Sequence, residues 1–164
     1  MFAEDLLHRA GCSPDIIAHC LSVSRTADAI AGRVRIALDR ELISLGSMVH
    51  DIGRSRTQGI DHAVAGVEVA RSLGLKGPVL SIIERHIGAG ITSVEARRLG
   101  LPVKDYLPLT PEEKIVSYAD NLVMGSTVVE YERALERFRG MLGPDHEGVG
   151  LFVAQHQEIL GWMR

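Results

Sequence analysis

Seven histidines and several carboxylates punctuate this 164-residue chain, and a few of them stand where chemistry is more economical than packing. In LGSMVHDIGRSR an apolar run meets His50 and Asp51 side by side, followed by Gly53, Arg54 and Arg56. His19 lies in the apolar stretch IIAHCLSV, and Asp120 in IVSYADNLV. A carboxylate in such surroundings is costly to bury unless it is paired or holds a metal. His19, His50, Asp51 and Asp120 can lower one another's cost by surrounding a divalent cation. Imidazole nitrogen and carboxylate oxygen suit iron, manganese, cobalt, nickel or zinc. Adjacent helical residues point about 100° apart, so His50 and Asp51 share an ion only where the helix ends. Gly53 is the expected terminator.

The elements that position these groups read as helices. No convincing period-2 alternation is present, whereas start and stop signals are frequent. FAEDLLHRA is a short helix closed by Gly11. Ser13-Pro14 opens a long amphipathic one, and Asp39 caps RELISLGSMVHDI. DHAVAGVEVARSLG, PVLSIIERHI, TSVEARRLG and TPEEKIVSYADNLVMG follow, the last two opening on capping boxes, Thr92 with Glu95 and Thr110 with Glu113. GAG, residues 88–90, reads as a glycine-rich loop. The tail, about 127–164, reads as two amphipathic helices broken near Gly143-Pro144. The expected architecture is an all-α bundle of seven or eight helices, one domain over 1–164.

Composition sets limits. The chain is 46% hydrophobic but only 4% aromatic, which suits closely packed aliphatic helices. A net charge of -3 gives no general attraction to nucleic acid or anionic membrane. No apolar run approaches the ~20 residues that span a bilayer. MFAEDLLHRAG does not read as a secretory signal. Cys12 and Cys20 read as reduced, buried thiols of a cytoplasmic protein. The last helix, with Leu151, Phe152, Ile159, Leu160 and Trp162, packs on the bundle or covers the partner of a homodimer.

The ordered set His19, His50-Asp51 in HDIG and Asp120 in YAD resembles that of the HD-domain metal-dependent phosphohydrolases, over residues of about 14–125. The resemblance implies an HD-domain helical bundle, with one or two divalent metal ions. In branches with two ions, histidines between HD and the last aspartate bind the second, and the HD aspartate bridges. His62 in DHAVAG and His86 in ERHIGAG occupy that interval. Together with LTPEEKIVSYAD, these segments look like the branch that includes bacterial symmetrical dinucleoside tetraphosphate hydrolases. In mononuclear branches such histidines contact phosphate. As ordinary residues, His62 would simply open a helix and His86 would favour a helix C-terminus.

Many relatives carry a lysine just after HDIG that reaches substrate phosphate. Arg54 takes that place here, with Arg56 close by. Arginine binds phosphate with bidentate hydrogen bonds but is no proton donor near neutral pH. Both arginines are candidates for substrate phosphate, and both could equally form a solvated loop. The function implied is hydrolysis of a phosphoester or phosphoanhydride in a small nucleotide-like metabolite by metal-activated water, with Asp51 and Arg54 central. The alternative is a non-catalytic metal- and nucleotide-binding regulatory module. His8, His146 and His156 read as surface or core-edge residues outside the site.

Overall fold

Four side-chain caps set the helix boundaries that frame the site. Ser13, Asp39, Thr92 and Thr110 accept the backbone N–H of Ile16, Leu42, Glu95 and Glu113. Each such cap is worth about 1 kcal/mol. The computed structural model describes residues 2–164. Within them the chain forms α1 (Phe2–Ala10), α2 (Pro14–Ala31), α3 (Arg40–Val49), a 3₁₀ turn (Ile52–Ser55), α4 (His62–Ser72), α5 (Pro78–Glu84), α6 (Ser93–Arg98) and α7 (Pro111–Asn121). A two-strand hairpin follows, β1 (Val123–Met124) and β2 (Thr127–Val128), then α8 (Tyr131–Leu142) and α9 (Glu147–Trp162).

The all-α expectation holds, with nine α-helices among the described residues. The count is one above the expected seven or eight, and each helix falls in a segment that the sequence marks as helical. Two further differences bear on the site. The helix expected to run through HDI ends at Val49, with His50 as its last cap. Asp51 then leaves helical geometry at φ -97° and ψ 14°, which frees its side chain from the 100° rule. The antiparallel pairing Val123 to Val128 was not visible in the sequence, because each strand is only two residues long.

Two large apolar clusters form most of the core, and a smaller third gathers Ile91, Ala96, Leu101 and Tyr106. The first large cluster joins Ile43, Ile82, Ile115, Phe138 and Phe152; the second joins Leu6, Ile17, Val49, Val67 and Ile83. Helices α2, α3 and α5 contribute to both large clusters, whereas α7 packs in the first and α4 in the second. Gly46 lets α3 and α5 approach closely, because a Cβ there would sit 2.5 Å from Ile82 Cδ1. The ends of α3 and α5 therefore deliver His50 and His86 to one place. No helix among the described residues is long and apolar enough to cross a membrane.

Candidate metal centre

Each of four histidines gives its Nδ1 side to a backbone carbonyl. His50 donates to Ser47 O at 2.7 Å, His62 to Gly59 O at 2.8 Å, and His86 to Ile83 O at 2.7 Å. His19 Nδ1 donates to Gly125 O at the hairpin turn, and Ser22 Oγ holds the neighbouring Ser126 O at 2.8 Å. The small hairpin thus aims a ring on α2. A carbonyl is only an acceptor, so these contacts place the proton on Nδ1 and leave the Nε2 lone pair of a neutral ring free. All four Nε2 atoms converge on Asp51.

Asp51 divides the convergence between its oxygens. Oδ2 lies 3.6 Å from His19 Nε2 and 3.8 Å from His50 Nε2. Asp120 joins that side, its Oδ1 2.9 Å from His19 Nε2 and 3.4 Å from His50 Nε2. Oδ1 of Asp51 faces the other way, 3.2 Å from both His62 Nε2 and His86 Nε2. Cation ligands at about 2.0–2.2 Å stand about 3–3.5 Å from one another, close to these separations. Two features of the donor set fit a cation. His50 Nε2 is fully buried and lacks a hydrogen-bond partner among the described residues. The Nε2 atoms of His62 and His86 face each other at 3.1 Å, where two neutral lone pairs would repel. The sets His19–His50–Asp51, His50–His86–Asp120 and Asp51–His62–His86 could each hold a metal.

The electrostatics agree. Burial opposes protonation of His50, but the carboxylates of Asp51 and Asp120 outweigh it and push the ring up to about 9. Burial likewise opposes ionisation of Asp51, yet the positive charge of His50 above all, with the Nε2 contacts of His62 and His86, holds it well below the usual carboxylate range. Asp120 is lowered in the same way, with His50 and His19 overcoming its burial. Burial dominates at His86 and lowers it. Without a cation, a proton on His50 therefore offsets part of the charge of the two acids. A raised histidine stabilises the fold in full below its ordinary 6.5, and the contribution is lost as pH rises through about 9. A metal must displace that proton. Manganese binding at pH 7 should release at least one proton per chain, and affinity should rise up to about tenfold per pH unit until pH 9. Calorimetry in buffers of different ionisation enthalpy measures the release; binding without it would mean that His50 is not a ligand.

The centre forms the floor of a cleft of about 580 Å³. His19, Asp51, His62, His86 and Asp120 line it, and His50 lies wholly buried beneath. Arg54 also lines the cleft; its Nε donates to Asp51 Oδ2 at 3.0 Å and its Nη1 to Gln58 O at 3.3 Å. Arg56 is not brought in: it is exposed and pairs with Glu68 at 3.3 Å. His146, expected on the surface, caps α9, bonds Glu95 at 3.2 Å and reaches the cleft mouth. His156 stacks on Tyr131 at 3.5 Å and accepts the Tyr118 hydroxyl at 2.6 Å, away from the cleft. Sequence reading missed the wall supplied by α8, including Arg137, Phe138, Met141 and Leu142. No spacing in the chain signals it, since only the tertiary fold lays α8 along the cleft, where it packs on α9.

A family model described as HD domain matches residues 16–125, the span from His19 past Asp120. The chain belongs to the HD-domain family. It is 47% identical to an uncharacterized protein of Methanocaldococcus jannaschii, over 90% of this chain and 89% of that protein. It is 46% identical to a tRNA (cytidine(56)-2'-O)-methyltransferase of Picrophilus torridus, over 75% of this chain but 36% of that protein. This HD-domain chain thus corresponds to little more than a third of the methyltransferase-named relative. The crystal structure of the L. monocytogenes phosphodiesterase PgpH HD domain with cyclic-di-AMP superposes with a TM-score of 0.58 at 17% identity, covering 98% of this chain and 96% of that one. That likeness is one of fold.

Proposed function

We propose that the protein is a metal-dependent phosphohydrolase that cleaves a phosphoester or phosphoanhydride of a small nucleotide-like metabolite. The observation that carries this reading is the division of Asp51 between two sets of Nε2 atoms at the floor of an open cleft. One set is His19 and His50, joined by Asp120 Oδ1; the other is His62 and His86. A divalent cation held by such a set lowers the pKa of water toward neutrality and offsets charge developing on phosphoryl oxygens.

The chain's own groups do the rest. The backbone carbonyls behind the four rings fix where each Nε2 points, so little reorganisation is needed at the moment of reaction. Asp51 sets the spacing between the two sets. Arg54 stands beside Asp51, where its remaining N–H donors can clamp a phosphate oxygen. It keeps its proton throughout, so protonation of the leaving group falls to water or to the substrate's surroundings. The aliphatic walls, Ile16, Ile87 and Leu142 among them, accommodate an apolar or aromatic body attached to the phosphate. The activity of the PgpH phosphodiesterase, whose HD domain is seen with cyclic-di-AMP, is in keeping with a nucleotide substrate.

Two measurements test the proposal. Elemental analysis after loading with manganese, iron, cobalt, nickel or zinc should find about two ions per chain, and His62→Ala should reduce this to about one. The loaded wild-type chain should hydrolyse bis(p-nitrophenyl) phosphate or a nucleotide. Failure to retain any of these metals would sink the reading. The methyltransferase-named relative favours one alternative, a metal-holding module that serves chemistry performed by another protein. That alternative predicts retained metal with no turnover of any phosphoester by the chain alone.

A further inference from the structure

The helices after Asp120 bring a cation to the cleft that the metal centre does not use. Arg137, on α8, is half-buried and lines the same cleft as Asp51 and Asp120. A guanidinium carries five N–H donors. One, on Nη2, goes to the backbone carbonyl of Asn121 at 3.1 Å. The Nε–H is buried and has no partner among the described residues. No carboxylate among those residues pairs with it, although Glu130, Glu132 and Glu136 border a shallow hollow on its outer side. Arg85 gives the contrast, because its guanidinium is neutralised by Glu113 at 3.0 Å. A partly desolvated guanidinium without a counter-ion is costly, and an anionic ligand would offset that cost.

Its support is rigid. Asn121 Nδ2 donates to Gly88 O at 3.0 Å and to Gln155 Oε1 at 3.2 Å, and Gln155 Nε2 donates to Ser117 Oγ at 2.8 Å. Arg137 is thereby tied to the residue next to Asp120. The other arginine of the cleft, Arg54, already spends its Nε on Asp51. At the rim, Glu95 and Glu147 add negative charge that repels a phosphate unless a cation answers it.

We propose that Arg137 forms an anion subsite on the α8 wall, where it binds a phosphate oxygen of the substrate. This rests on the reading that the cleft takes phosphoesters. The span matched to the HD domain ends at residue 125, so the subsite is supplied by the helices that follow it.

The test combines binding with kinetics. Orthophosphate is titrated into chelator-treated wild type, Arg137→Gln and Arg137→Lys, followed by phosphorus NMR. The Gln variant should bind about 10- to 100-fold more weakly, the loss expected for a charge-assisted contact, and Lys should restore part of it. On bis(p-nitrophenyl) phosphate with manganese-loaded protein, the Gln variant should raise KM more than it lowers kcat. Thermal melts identify any merely structural effect. Unchanged phosphate affinity in Arg137→Gln, a loss that only tracks a lower Tm, or no binding by wild type would each overturn the subsite. Normal turnover with unchanged phosphate affinity in the variant would remove the subsite and leave the hydrolase reading. Arg137-dependent phosphate binding without turnover of any phosphoester would do the reverse.

Discussion

Asp51→Asn should lower kcat/KM by about a thousandfold or more and take metal content below one ion per chain, while the far-UV circular dichroism stays that of the wild type. Loss of a group that only orients a metal ligand already costs about 10- to 100-fold. Asp51 would serve both sets at once, with Oδ2 toward His19 and His50 and Oδ1 toward His62 and His86. Asparagine keeps the shape but removes the charge. One face of its amide turns N–H donors toward a ligand set, where a cation cannot be accepted. The helices should survive, because Asp51 lies outside α3 and makes no helix-capping bond. A second consequence separates electrostatics from folding. Without the Asp51 charge, His50 loses the first of the carboxylates that raise it and should titrate well below 9, visible by NMR in the chelated protein. Asp51→Glu should fall between, since charge is kept while its position moves by a methylene. An Asp51→Asn protein with two ions and normal turnover would refute both the centre and the proposed activity.

How far the sequence reveals this arrangement depends on which physics places each residue. The caps Ser13, Asp39, Thr92 and Thr110 are local, and the structure has them where the pattern puts them. The gathering of His19, His50, Asp51 and Asp120 was legible because buried polar groups on apolar helices need one another, whereas His62 and His86 were legible only through the family resemblance. The pairing among these groups was not legible. Asp51 leaves the helix at φ -97° and ψ 14°, a backbone departure that no side-chain pattern announces. Arg54 and Arg56 look alike in the sequence. The 3₁₀ turn carries one to Asp51 and the other to Glu68. Arg137 escaped notice because its place depends on α8 packing on α9 and reaching the Asn121 carbonyl at the end of α7, a long-range result.

Gly53 shows how a correct motif can carry the wrong reason. It was expected as a helix terminator, but α3 has already ended at Val49, and Gly53 sits inside the 3₁₀ turn at an ordinary φ. What it supplies is space. A Cβ there would stand 1.8 Å from His62 O, 2.5 Å from Gly66 N and 2.7 Å from Gly66 Cα. All three are backbone atoms, so no side chain can swing aside. Gly66 completes the crossing, since its own Cβ would press on Ile83 Cγ2 at 2.8 Å and Gly53 N at 3.2 Å. The turn that presents Asp51 and the helix that presents His62 are therefore in backbone contact. Gly53→Ala must drive α4 away, and His62 moves with it from Asp51 and His86. The expected cost is at least about 3 kcal/mol, the upper range for overpacking, with loss of the ion held by His62. Gly66→Ala should cost less, because its nearest neighbour is a side-chain methyl group. Gly140→Ala is the control: nothing lies within 4 Å of a Cβ there, and it is inside α8. Alanine should be up to about 1 kcal/mol better than glycine at such a helical position. Urea midpoints for the three variants, with metal analysis beside them, decide the matter. If Gly53→Ala kept its midpoint and its two ions, close approach of the turn to α4 would not be what fixes the centre, and the spacing between Asp51 and His62 would have to be set by the side chains alone.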